Sequence, residues 1–140
     1  MDTTISPAEL AADILNRLGP PDLAAHGAVV GPATDVQQQE GVVQLVAAGL
    51  PVLEKYVDLQ WMRCQMRCLA GTLDTAETIS QKVYAEMNGR GRTIGRMAST
   101  DQRSLVHLIN ITAGPSMHYD SPETWETLLF AELMIGTQPI

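Results

Sequence analysis

Hydrophobic positions recur at two different spacings along this chain. In SPAELAADILNRLG, residues 6–19, Leu10, Ile14 and Leu18 repeat every four positions with Ala11 and Leu15 beside them. That is the stripe of an amphipathic helix with one face to bury. Ser6, Pro7 and Glu9 read as a capping box with proline at the first helical position, and Gly19-Pro20-Pro21 stops the helix. A second stripe, Ala76, Ile79, Val83 and Met87 with Tyr84 on its flank, lies in TLDTAETISQKVYAEMNG, residues 72–89. Asp74 followed by Glu77 marks its start, and Asn88-Gly89 its end.

Elsewhere the spacing is two. VVQLVAAG, residues 42–49, reads as a strand that GLPVLEK then breaks, and a longer strand covers Tyr56 to Cys68. In the longer strand Val57, Leu59 and Trp61 alternate with Asp58 and Gln60. From Met62 onward the apolar parity passes to Met62, Cys64, Met66 and Cys68, against Arg63, Gln65 and Arg67. Because a slip of one residue moves every side chain to the other face, this shift predicts a bulge near Trp61, or a strand covered first on one face and then on the other.

In SLVHLINITAG, residues 104–114, Leu105, His107, Ile109 and Ile111 alternate with Val106, Leu108, Asn110 and Thr112. In WETLLFAELMIG, residues 125–136, Leu128, Phe130 and Met134 share one parity and Leu129, Ala131, Leu133 and Ile135 the other. Both rows are partly apolar, as in strands covered on both sides. Three stretches remain. Residues 19–41, punctuated by glycine and proline, predict a connection with a strand-like middle at AVV. NGRGRTIGR, residues 88–96, predicts a surface loop or hairpin, and GPSMHYDSPE, residues 114–123, predicts a turn.

This order predicts a single α/β (α+β) domain over residues 1–140, with a roughly four-stranded mixed or antiparallel sheet covered by two helices on one face and an extended hairpin or loop. Val106, Leu108, Leu129 and Leu133 ask for cover on faces that both helices cannot reach. Another subunit would provide it.

Charge narrows the function. Sixteen acidic against nine basic side chains give a formal charge of −7, which argues against a dedicated nucleic-acid groove because phosphate attraction needs clustered lysine and arginine. The N-terminus lacks the basic start and apolar run of a secretory signal, and no segment reaches about 20 apolar residues, so no membrane is expected and the chain reads as made in a reducing compartment.

Cys64 and Cys68 share a face of the long strand, where four residues span about 13 Å. That exceeds the roughly 7 Å within which two Cα atoms can share a disulfide. A metal site would need other ligands, and His26, His107 and His118 are scattered, so the thiols read as buried structure. No nucleophile elbow, zincin motif or phosphate loop is present; NGRGRTIGR lacks the GK[ST] ending and follows a helix instead of a strand. No enzyme, cofactor or metal is expected, since Asp120 and Glu123 near His118 form a grouping that any short acidic turn can produce.

Candidate contact residues fall into three groups. Arg63, Gln65 and Arg67 form the outward row of the long strand, either solvated or meeting carboxylates of a neighbouring subunit, which a planar guanidinium can grip with two bonds. Arg90, Arg92 and Arg96 are the one local positive cluster, read as a surface loop or as a contact with a partner or passing DNA. His118, Tyr119, Asp120 and Glu123 occupy the acidic turn.

The run GTLDTAETISQKVYAEMNG after a long strand, then a polar loop, then LVHLINITAGPSMHYDSPETWETLLFAELMIG, resembles the tail terminator, or tail-completion, proteins of long-tailed bacteriophages. The likeness covers about residues 42–136 and rests on order and spacing: an arginine-bearing strand, an acidic-capped helix after a strand-ending glycine, a Gly-Pro element before an acidic turn, and a final apolar strand. It implies a virion subunit, assembled in the host cytoplasm as a homo-oligomer, usually a hexameric ring. Such a ring caps the head-proximal end of the tail tube, stops tube polymerisation and presents a surface to the head connector.

Its implied partners are the tail tube protein and the head-tail connector or neck protein, with DNA passing through the lumen without specific binding. The segments 89–96 and 114–123 would be the candidates for meeting tube or neck. A neighbouring virion role as connector or neck subunit, or a small non-viral interaction domain, is the alternative.

Overall fold

The computed structural model describes residues 5–48, 52–53, 58–121 and 124–136, and side chains at all of these except 52–53, 113 and 115–121. Tyr56, Val57 and Glu123 therefore lie outside the described residues.

The first helix, α1 (Pro7–Leu18), forms as its pattern predicts, with the Ser6 hydroxyl accepting from the Glu9 N–H and Leu10, Ala11, Ile14 and Leu15 buried. Only half of the capping box is present. The Glu9 carboxylate turns away from the helix and accepts from the backbone N–H and hydroxyl of Ser99, both at 2.9 Å.

The connection that follows holds β1 (Ala28–Val30) at the expected AVV and also a short helix, α2 (Asp35–Glu40), absent from the sequence reading. It buries no residue and so leaves no apolar stripe to detect, but Thr34 and Gln37 close a complete capping box. Next come β2 (Val42–Ala47), the two-residue β3 (Val52–Leu53) and β4 (Leu59–Ala70). The second long helix, α3 (Leu73–Met87), buries Ala76, Ile79, Val83 and Met87, and its N-cap is Thr72, not Asp74.

Three strands complete the chain: β5 (Gly91–Arg96), β6 (Arg103–Ser121) and β7 (Thr124–Gly136). The segment at 89–96, read as a surface loop or hairpin, is mostly one arm of a hairpin, because β6 offers it an antiparallel ladder from Gly91↔Leu108 to Arg96↔Arg103. The expected turn at 114–123 is likewise strand as far as Ser121. The Gly-Pro signal there is absorbed by register shifts at Ala113/Ser116 while β7 continues to pair, through Tyr119↔Trp125 and Ser121↔Thr124.

The fold is α+β, with more strands than the four expected. Six run in the order β1-β2-β4-β7-β6-β5, and β3 pairs β4 beside them. The β1–β2 pair is parallel and every other pair is antiparallel, which makes the sheet mixed.

Both long helices contribute to one core cluster with Val43, Leu45, Met62, Cys64, Met66, Cys68, Val106, Ile109, Leu129, Leu133 and Ile135. Val106, Leu129 and Leu133 therefore need no second subunit to cover them. The bulge is also displaced. Pairing of β4 with β7 runs unbroken from Leu59↔Gly136 to Ala70↔Trp125, so Leu59 and Trp61 simply face away from the helices. The shift sits instead in β6 between Val106 and Leu108, which lets both Val106 and Ile109 reach the core and turns Leu108 outward.

The helix α1 closes both ends of this sheet. Laid flat, six strands would put the outermost pair about 24 Å apart, roughly twice a helix diameter, yet α1 touches both β1 and β5. The Asn16 amide donates to the Ala28 carbonyl at 2.8 Å and accepts from the Ala28 N–H at 2.9 Å, the two bonds a neighbouring strand would make. On the other side Arg17 donates to the Ile94 carbonyl, and Asp13 accepts from the Arg96 N–H at 3.0 Å. Gly95 permits this approach, since a Cβ there would meet Leu10 Cδ2 at 3.0 Å. Side chains of one helix thus satisfy both strand edges, which blunts them for pairing with other chains.

Candidate interaction surface

With α1 and α3 on one face, the other face of β2, β4 and β7 is left for a different role. Strand alternation projects Leu59, Trp61, Arg63, Gln65 and Arg67 from β4 onto it. The antiparallel register sets Trp61 opposite Met134, Arg63 opposite Glu132, Gln65 opposite Phe130 and Arg67 opposite Leu128. From β2, Gln44 lies beside Arg67 and Val46 beside Gln65. At one end Val42 and Leu69, partners in the ladder and both buried, lie outside the main cluster where α2 packs on β4. Along the rest, Trp61, Leu128, Phe130 and Met134 are half-buried apolar groups, and among the described residues no helix lies over them.

The two arginines have carboxylate partners in their own chain. Arg67 grips Glu126 with two bonds, Nε to Oε1 at 2.9 Å and Nη2 to Oε2 at 2.7 Å, and its Nη1 donates to the Gln44 amide oxygen at 3.2 Å. Gln44 in turn donates to the Gly31 carbonyl at 2.7 Å, which ties the network to the connection before α2. Arg63 donates from Nε alone to Glu132, at 3.1 Å. Burial separates the pairs: side-chain exposure is 31% for Arg67 and 10% for Glu126, against 59% for Arg63 and 26% for Glu132. Along β4 and β7 this face carries two arginines and two glutamates, so its formal charge is zero within a chain of −7.

The other candidates are elsewhere. Arg90, Arg92 and Arg96 belong to β5 and its entry, separated from β4 by β7 and β6, so they do not join Arg63 and Arg67 in one patch. Arg90 is held by Glu86 and Arg96 by Asp101, while Arg92 stands exposed. In β6 the register places His118 opposite Glu126 and Tyr119 opposite Trp125, with Asp120 next in the strand. That brings position 118 to the end of the sheet where Arg67 and Glu126 pair.

Glu126, Glu132 and Gln44 were missed by sequence reasoning. Their signal was parity, since Glu126 and Glu132 share the row of Leu128, Phe130 and Met134, but only the register of β7 on β4 aligns that row with the arginines.

The structure holds Cys64 and Cys68 as free buried thiols, both pushed up to about 12 by burial. Among the described residues no group of three or more His, Cys, Asp and Glu is placed to hold a metal, and no helix is long and apolar enough to cross a membrane. A groove of about 720 Å³ lies between α1, β1 and the β5–β6 turn, but its polar lining is already engaged: Glu9 by Ser99, Asp13 by Arg17 and Asn16 by Ala28. No protein-family model matches the chain, and comparison with curated proteins finds no match.

Proposed function

We propose that this chain is a structural subunit of a phage virion. It caps the head-proximal end of the tail tube as a homo-oligomeric, hexameric ring, stops tube growth and provides the surface for head attachment. The observation that carries this reading is the sheet face turned away from α1 and α3, a half-buried apolar field set with ion pairs that are already neutralised within the chain. Such a face suits protein contact, since exposed apolar area is what association buries, and pre-paired charges add little desolvation. A ring needs two different surfaces per subunit and no catalytic residue.

The test adds the protein to growing tail tubes of the matching phage and images them by negative stain. Occupancy of one tube end with arrest of lengthening is expected. Tubes that lengthen unchanged, with both ends bare, would overturn the reading.

A further inference from the structure

Arg96 on β5 and Arg103 on β6 are direct partners across the antiparallel ladder, at the mouth of the β5–β6 turn. Side chains so placed lie on one face with Cβ atoms about 5 Å apart, and like charges in that position repel.

Both arginines line a groove of about 440 Å³ whose other walls are Asp13 and Arg17 of α1 and Ile94 of β5. The bonds within the chain leave part of this positive charge unanswered. Arg17 donates through Nη2 to Asp13 at 3.2 Å and to the Ile94 carbonyl, and Arg96 donates through Nε to Asp101. Arg103 is exposed, and its guanidinium has no hydrogen bond or ion pair among the described residues. Asp13 is already occupied, since its Oδ2 accepts both from Arg17 and from the Arg96 N–H at 3.0 Å. With Asp101 counted beside the lining, three arginines face two aspartates, which leaves the groove positive inside a chain of −7.

Two properties of the groove select its ligand. The terminal nitrogens of Arg96 and the whole fork of Arg103 come from adjacent strands, so an anion between them meets two guanidiniums. A carboxylate needs one such fork, whereas a phosphate monoester carries about −1.5 to −2 at pH 7 and offers three strong acceptor oxygens. Ile94, 43% exposed, adds an apolar wall, and the volume suits a small ligand, whose sites run to roughly 300–1,000 Å³. A polymer is served less well, since nucleic-acid affinity needs a longer run of cations and the chain as a whole is acidic. The geometry points to a binding site for a phosphate dianion, free or as the ester of a small molecule, held between Arg96 and Arg103 with Arg17 at its side. A bound dianion turns the repulsion of the opposed arginines into a shared contact.

The experiment titrates inorganic phosphate and phenyl phosphate into the full chain by isothermal titration calorimetry, against benzoate and against sodium chloride at matched ionic strength. The titrations are repeated on Arg103→Gln and on Lys82→Gln, which removes the same charge from α3 outside the groove, with circular dichroism to establish that each is folded. Both phosphates are expected to bind the wild type and Lys82→Gln alike, and Arg103→Gln about tenfold or more weakly, as the loss of hydrogen bonds between charged groups requires. Tighter binding of phenyl phosphate assigns Ile94 to the organic part of an ester; equal or tighter binding of inorganic phosphate assigns the groove to the free ion.

No binding beyond the chloride control overturns the inference. So does a folded Arg103→Gln that binds like the wild type, an equal loss in Lys82→Gln, or benzoate bound as tightly as phenyl phosphate. An oligonucleotide that displaces phenyl phosphate at a lower phosphate concentration makes the surface a nucleic-acid contact and likewise overturns it.

Discussion

Arg67 on β4 and Glu126 on β7 meet diagonally across the ladder, gripping through two bonds of 2.9 and 2.7 Å beneath a side-chain exposure of only 10% for the glutamate. Arg63 and Glu132, four positions along, share one bond and much more solvent. The two pairs should therefore separate in a stability measurement. Arg67→Ala leaves a nearly buried carboxylate without its strongest partner and is expected to lower unfolding stability by about 2 kcal/mol. Arg63→Ala should change it by less than about 1 kcal/mol, as exposed pairs do. Urea denaturation of both variants checks this, and equal losses would mean that burial does not distinguish them.

Asn16 predicts a different kind of loss. Its amide bonds both the outward N–H and the carbonyl of Ala28, so Asn16→Leu keeps a similar volume and removes two bonds at once. A loss of about 1–3 kcal/mol is expected, because the strand groups are left facing a part-buried helix. Hydrogen exchange at the Ala28 amide should accelerate well beyond that of its neighbours in β1. An unchanged rate would show that Asn16 does not hold the edge.

How far the sequence disclosed all this depends on where each element's hydrogen bonds and apolar groups find their partners. The helices α1 and α3 were legible because Leu10, Ile14, Ala76, Ile79, Val83 and Met87 are periodic within one segment. The segment of β5 leaves loop and hairpin undecided because its glycines and arginines have no strand pattern, and its order comes from β6 on one side and from Asp13 and Arg17 on the other. In β4 the shift of apolar parity at Trp61 predicts a bulge or a change of covered face; the ladder runs without a bulge, and Leu59 and Trp61 lie on the open face with the arginines. The partners of those arginines lie 59 and 69 positions away, and no local pattern encodes a register.

The Gly114 bulge offers a backbone prediction. Its φ is +115°, and a Cβ there would lie 2.5 Å from the Leu128 carbonyl oxygen and 2.9 Å from Leu129 Cδ2. Gly114→Ala therefore combines a disfavoured dihedral with a clash against the backbone of β7, and a cost of about 1–3 kcal/mol is expected. The loss should be accompanied by faster hydrogen exchange in the β6 residues beyond Ile111, the part of the strand whose pairing runs through the bulge. Exchange that quickened only near the β5 ladder would place the strain elsewhere.

The buried thiols give the sign of the alkaline response. Burial raises both Cys64 and Cys68 from 9.0 to about 12; at Cys68 the nearby Glu126 adds to the rise, and a hydrogen bond with Thr127 opposes it. Below pH 9 both the folded and the unfolded chain keep these protons, so the thiols impose no slope. Between about pH 9 and 12 the unfolded chain loses protons that the folded chain retains. Stability must then fall as pH rises, by at most about 1.4 kcal/mol per pH unit for each thiol. The double variant Cys64→Ala/Cys68→Ala should start less stable, because it removes two buried sulfurs, yet lose stability less steeply across that window. Denaturation curves at pH 8, 9 and 10 would read this directly. A variant whose alkaline slope matched the wild type would mean that other groups set it, and a wild type whose thiols reacted with a disulfide reagent at pH 7 without unfolding would contradict the burial itself.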